Sequence, residues 1–301
     1  ESSSEAVING LNELTEKYEQ WIEKQVIASK ELAKEHQNAA AVNLSKCKQT
    51  LIRLKKAIKE LKNPIVFRAF SLANKAMFMQ RKQMLKNTGK FESDEKIKWY
   101  PFQLAFILQE TYSFAKPDSE ERKNVDLLWF PTGGGKTEAY LGIAAFVIFL
   151  RRLLYGDDGN GVAILMRYTL RLLSFQQFER AAALICACEL IRRKEKIGGD
   201  EIGIGLWAGM DLTPNYIEKA KKILNGEKDE DSESSNPAQI KKCPWCGAEI
   251  PAQEPYYSCD IENHRMHIYC SNSSCEFKTG LPIFLIDEEI YHYKPTYIVA
   301  T

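Results

Sequence analysis

An α/β fold with a parallel sheet, a helical N-terminal extension and an inserted metal ribbon is predicted by three features of the 301-residue sequence. After residue 99, β-type apolar runs alternate with helical stretches. Residues 5–62 carry apolar side chains at helical spacing and contain no proline. Two cysteine pairs, at 243/246 and 270/275, bracket a loop of ribbon length.

The extension comes first. Leu11, Leu14, Tyr18 and Trp21, then Leu51, Leu54, Ile58 and Leu61, predict two long helices in an antiparallel hairpin that turns within 36–44. Pro64 opens a third, over VFRAFSLANKAMFMQRKQML (66–85), and the extension is taken as 1–98. From Trp99 a helix is expected over PFQLAFILQETYSFA. A strand follows at VDLLWF (125–130), a helix at 136–154, a strand at GVAILM (161–166) and a helix at 174–195. IGIGLW (202–207) reads as a strand and 213–224 as a helix, so 99–225 forms the first part of the α/β domain. The acidic, serine-rich GEKDEDSESSNP lies in a linker at 226–240, the ribbon fills 241–281, and 282–301 returns to the sheet with PTYIVAT as a strand.

With 41 basic and 40 acidic residues the net charge is +1, so any nucleic-acid surface has to be a local patch. No run reaches the roughly 20 apolar residues of a membrane helix. The nearest, LGIAAFVIFLRRLL, is broken by two arginines. The opening ESSSEAVING lacks a basic region followed by an apolar run, so a cytoplasmic protein without a membrane partner is expected.

FPTGGGKT (130–137) stands between an apolar run and a helix, where a phosphate-binding loop belongs. Glycines let backbone N–H groups approach phosphate, and a helix N-terminus adds partial positive charge. In this reading Pro131, Thr132, Gly133, Gly134, Gly135 and Glu138 form the ATP cradle, Lys136 reaches the β- and γ-phosphates, and the Thr137 hydroxyl holds Mg²⁺. Phe130 stands where the general pattern has its first glycine.

The loop PTGGGKT resembles motif I of superfamily 2 helicases, whose first position varies. Upstream, Tyr100-Pro101-Phe102-Gln103 is similar to the entry of many such helicases. That resemblance implies that Phe102 stacks on adenine and Gln103 reads its edge, a task suited to an amide that both donates and accepts. Downstream, VAILMRYTLRLLSFQQFERAA resembles motif Ia, which implies backbone contacts to single-stranded DNA from Arg167, Thr169, Arg171 and Gln177.

A closer resemblance, to the helicase subunits of DISARM anti-phage defence systems, rests on AFSLANKAMFMQ, YPFQLAFIL, FPTGGGKTEAYLGIAAF, MRYTLRLLSFQQFERAAALICACELIRR and GLWAGMDLTPN. It implies a RecA-like P-loop sheet and a DNA-stimulated ATPase acting beside protein partners of a defence complex. By the same resemblance a P-x-x-x-x-x-T strand precedes the catalytic Asp-Glu. PTYIVAT is then that strand, Asp287 and Glu288 of PIFLIDEE are not the catalytic pair, and the chain as given binds ATP but hydrolyses it poorly. An assembly or signalling ATPase, with ribbon and helical arm binding proteins, is the alternative.

CPWCG (243–247) offers two thiolates to one metal, and Cys270 and Cys275 complete a structural four-thiolate zinc site with Cys243 and Cys246. Cys259, His264 and His267 are taken as bystanders. Cys186 and Cys188 point to different helix faces and read as small buried residues.

Overall fold

The computed structural model describes residues 3–131, 133–169, 171–209, 212–227 and 235–301, with the backbone only at 171–174. The chain divides into two compact units, one of Glu1–Ser71 with Trp99–Phe146 and one of Leu72–Lys98 with Val147–Thr301. One boundary falls between Lys98 and Trp99, and each unit draws on residues from both sides of it.

The first unit is built on a helical hairpin. Helix α1 (Ser4–Ala28) starts with the Ser3 side chain accepting from the Ala6 N–H, and α2 (Lys34–Glu60) returns beside it. Leu11 and Ile22 of α1, and Leu51, Leu54, Ala57 and Ile58 of α2, are buried, and Lys55 pairs with Glu19 at 2.7 Å. The turn falls at 29–33, earlier than the predicted 36–44. Residues 36–44 (HQNAAAVNL) include three consecutive alanines, the best helix formers, so the helix continues through them. Helix α3 (Pro64–Asn87) begins on a proline, with Asn63 Oδ1 accepting from the Ile65 N–H. Helix α4 (Pro101–Ala115) packs on α2.

Arg53 of α2 organises the polar side of this unit. Its guanidinium grips Asp126 through both oxygens, at 2.5 and 2.8 Å, and reaches Glu110 at 3.3 Å and Glu121 at 3.6 Å. The expected strand over 125–130 is not formed: among the described residues this run pairs with no strand. Val125 is 97% exposed and Leu127 and Trp129 are each 85% exposed, while Asp126 is held by Arg53. The alternating pattern is that of a strand, but a strand also needs a neighbour for its backbone groups.

The second unit holds a four-stranded parallel sheet in the order β1-β6-β2-β5. It comprises β1 (Ile164–Arg167), β2 (Ile204–Trp207), β5 (Ile283–Phe284) and β6 (Tyr297–Ala300), shorter than the predicted runs. β6 lies between β1 and β2 and is buried throughout, as a strand with neighbours on both sides should be. Helix α5 (Lys136–Tyr155) precedes β1. Helix α6 (Arg171–Lys194) packs against β2 and β6 and buries Phe178, Leu184, Ile185, Cys186 and Cys188 completely. Its buried Glu189 binds Arg192 and Arg193 and accepts from the Ile202 N–H at 2.9 Å, fixing the approach to β2.

After α7 (Ile217–Leu224) the expected linker is only partly within the described residues. From Ser235 the chain is packed, with Ala238 and Ile240 buried and the Ile240 backbone bonded to the Tyr257 hydroxyl. A hairpin of β3 (Tyr257–Asp260) and β4 (Arg265–Ile268) follows. Helix α8 (Asp287–Tyr293) carries the buried Glu289, whose oxygens accept from the N–H groups of Leu285, Ile286 and Met266 and pair with Arg265 at 3.2 Å. One carboxylate thus ties the hairpin to the end of β5. Among the described residues one helix, Lys136–Gly159, is by length and composition apolar enough to cross a membrane, and 61% of its apolar window is buried inside the protein. Burial of that kind also marks the core helix of a globular protein.

Candidate functional site

The glycine loop is braced from α4. Gln103, only 3% exposed, accepts from the Tyr100 N–H at 2.9 Å through Oε1 and donates from Nε2 to the Gly135 carbonyl at 2.8 Å. Gly133 and Gly135 have φ of +81° and +88°, which side chains with a Cβ rarely adopt. A Cβ on Gly135 would also meet Gln103 Nε2 at 2.7 Å. Lys136, Thr137 and Glu138 form the first turn of α5, so the loop leads straight into a helix N-terminus. Thr132 lies outside the described residues.

Lys136 Nζ donates back into its own loop, to the carbonyls of Phe130 at 2.5 Å and Pro131 at 3.1 Å. Phe130 stacks on Phe102 with centroids 4.1 Å apart and planes at 11°, and Tyr100 stacks beyond Phe102 at 6.3 Å. Phe130 therefore covers one face of the ring predicted to receive adenine, a role its place in the sequence pattern does not disclose. Two positive-φ glycines leave the loop without a Cβ at those positions and a lysine ammonium sits at the helix start, a donor set that could hold a phosphate group.

Of the four predicted nucleic-acid residues, Arg167 ends β1 and Thr169 follows it, both exposed at the carboxyl end of an edge strand. Arg171 begins α6, and its side chain lies outside the described residues. Gln177 is six residues further along, about 9 Å on a helix rising 1.5 Å per residue, and its Oε1 is buried without a partner among the described residues. The sequence therefore groups Arg167 with Thr169 more closely than either with Gln177.

In the ribbon, the thiols of Cys243, Cys246, Cys270 and Cys275 all lie within 4.8 Å of one another and could hold a metal such as zinc. Sγ–Sγ separations are 4.0 Å for Cys243–Cys275 and 3.4 Å for Cys246–Cys270. A zinc–sulfur tetrahedron with bonds of about 2.3 Å has edges of about 3.8 Å, between these values. The knuckle closes through Gly247, with φ of +76° and its N–H on the Cys243 carbonyl at 2.9 Å. Backbone N–H groups of Asn272 and Phe277 point at the sulfurs of Cys270 and Cys275. Burial pushes the Cys243 and Cys270 thiols up and Cys275 to about 12, so a dense set of thiolates here calls for a cation. Cys259 stands opposite Met266 and His267 opposite Ser258 in the hairpin, outside the thiol cluster, as does His264. Asp287 opens α8, while Glu288 is held by His264 and the Ile217 N–H.

No family model matches the sequence. The DISARM protein DrmA of Bacillus paralicheniformis is 38% identical over an aligned length of 327 residues, covering 98% of this chain. This chain resembles DrmA. The expected DISARM resemblance is thereby borne out along nearly the whole sequence. The chain spans 28% of the length of DrmA.

Proposed function

We propose that this chain is the nucleotide-binding portion of an ATP-driven superfamily 2 DNA helicase or translocase of a DISARM-type defence system. The observation that carries this reading is the Gly133–Gly135 loop, braced by Gln103 and running into α5 at Lys136. The likeness to DrmA supports the defence assignment.

Backbone N–H groups of the loop and the α5 N-terminus hold the phosphates of ATP, Lys136 exchanges its two carbonyl acceptors for phosphate oxygens, and the Thr137 hydroxyl holds Mg²⁺. Phe102 stacks on adenine once Phe130 yields its face. Gln103 Oε1 and Nε2 each use one bonding position within the chain, which leaves one acceptor and one donor position for the base edge. Bound ATP supplies the free energy of phosphoryl transfer. Arg167 and Thr169, with the start of α6, contact the single-stranded DNA backbone, and the zinc-filled ribbon serves structure and partner docking.

In this reading the glycine loop belongs to a RecA-like domain of a cytoplasmic protein working with partners of a defence complex. ATP turnover by the full-length protein, with and without single-stranded DNA, tests the assignment. Stimulation that disappears in Lys136→Ala supports it; turnover indifferent to DNA contradicts it and favours an assembly ATPase.

A further inference from the structure

A cavity of about 620 Å³ opens in the second unit between the segment after β2 and helix α8, with Asn215, Tyr216, Asp287 and Tyr291 among its walls. It belongs neither to the phosphate loop nor to the thiol cluster. His264 and His292 line it as well, and its carboxylates and amide differ in how far they are engaged. Glu288 is fully engaged: one oxygen meets His264 Nδ1 at 2.5 Å, the other accepts from the Ile217 N–H at 2.8 Å, and its own N–H donates to the Asn215 carbonyl at 3.0 Å. Asp287 Oδ1 and Asn215 Oδ1, by contrast, are buried and receive no hydrogen bond among the described residues, the Asp287 carboxyl being approached only by the Trp207 side chain.

Two orphaned acceptors in one small site are unusual, because each buried acceptor without a donor costs about 1–3 kcal/mol. Burial also raises the Asp287 carboxyl above its ordinary range, against a lowering hydrogen bond from Trp207. At the rim, Tyr216 and Tyr291 are each 64% exposed, and Tyr291 meets Trp207 edge-on at 6.1 Å. Buried acceptors below and aromatic faces at the mouth suit a flat cation bearing several N–H groups. Asp287 and Glu288 repel a phosphate, and of the two imidazoles that also line the site, His264 and His292, the first is already paired with Glu288; an ammonium has no plane to lay on a ring.

We propose that this cavity binds the guanidinium of an arginine displayed on a polypeptide partner. The guanidinium donates to Asp287 Oδ1 and Asn215 Oδ1 and lies against a rim tyrosine. The wide mouth, with both tyrosines largely in solvent, leaves room for the backbone that carries the arginine.

The test titrates the metal-loaded chain with capped Gly-Arg-Gly, Gly-Lys-Gly and Gly-citrulline-Gly peptides, followed by the indole N–H resonance of Trp207. Citrulline keeps the shape of arginine without its charge. The arginine peptide is expected to bind at least tenfold more tightly than either analogue and than free arginine, and Asp287→Asn is expected to weaken it tenfold or more. Tyr291→Ala, at an exposed position, provides a second variant that leaves the buried atoms alone and is expected to weaken binding several-fold. Equal affinity for arginine and citrulline peptides, or for the peptide and free arginine, overturns the proposal. So does binding unaffected by both variants, or a Trp207 response to a single-stranded oligonucleotide when no peptide elicits one.

Discussion

Gln103 donates from its buried side chain to the carbonyl of Gly135 at 2.8 Å, joining the start of α4 to the glycine loop. Its other end caps the same helix by accepting from the Tyr100 N–H. Replacing Gln103 by alanine removes both bonds and leaves the half-buried Gly135 carbonyl without its donor. The first unit is expected to lose about 1–3 kcal/mol of stability. Chemical denaturation measures that loss, and parallel titrations with ATP and GTP are expected to show a smaller preference for adenine in the variant.

Gly135→Ala makes the complementary test from the loop side. At φ of +88° an added Cβ is strained, and it would stand 2.7 Å from Gln103 Nε2. The loss is expected to exceed the roughly 1 kcal/mol typical of a positive-φ glycine replaced without a clash. Gly133→Ala, where nothing lies within 4 Å of the new Cβ, is the control and should show only the backbone part.

Arg53 faces three carboxylates, and their titration gives a pH signature. Burial, then the charge of Asp126, raises Glu110 to about 7 against the pull of Arg53. Asp126 is lowered, chiefly by its hydrogen bonds to Arg53. For Glu110 the folded state holds a proton that the unfolded state has released, so its contribution to stability is present below about 4.5 and is lost as pH rises towards 7. Asp126 acts oppositely, its contribution disappearing as pH falls below its ordinary 3.8. Denaturation midpoints between pH 4.5 and 7 should therefore decline more steeply in the parent than in Glu110→Gln. Arg53→Met strands the carboxylates and is expected to cost about 2 kcal/mol or more, reduced from the fully buried case by their partial exposure.

Metal removal should act on the second unit alone. With Cys243, Cys246, Cys270 and Cys275 converging, elemental analysis is expected to find one zinc per chain, lost in Cys246→Ser. A chelator should lower the unfolding temperature and expose the buried Tyr257 to solvent, since the ribbon's core is small. Retention of zinc by the variant, or a melting temperature indifferent to chelation, would count against a structural site.

Much of this was legible in sequence because local chemistry decided it. The CPWCG knuckle and its partner pair meet as their spacing implied, and the alternating runs after residue 161 do form a parallel sheet. What escaped depends on distant partners. Nothing near Arg53 in sequence indicates Asp126, and nothing in VDLLWF reveals that its apolar face is left in solvent. In sequence Phe130 is a departure from a glycine pattern, whereas its stack on Phe102 is a tertiary contact. The cavity beside Asp287 is built from residues more than seventy positions apart, and only the folded chain discloses its orphaned acceptors.

The most direct test of the central claim is equilibrium binding of a fluorescent ATP analogue by the chain in the presence of Mg²⁺, compared between the parent and Lys136→Ala. Among the described residues Lys136 bonds to two carbonyls at the loop's exposed surface, so the variant should remain folded, within about 1 kcal/mol of the parent. The account predicts saturable binding, competed by ATP, that falls at least tenfold in Lys136→Ala. No binding at millimolar nucleotide, or equal binding by both proteins, would contradict it.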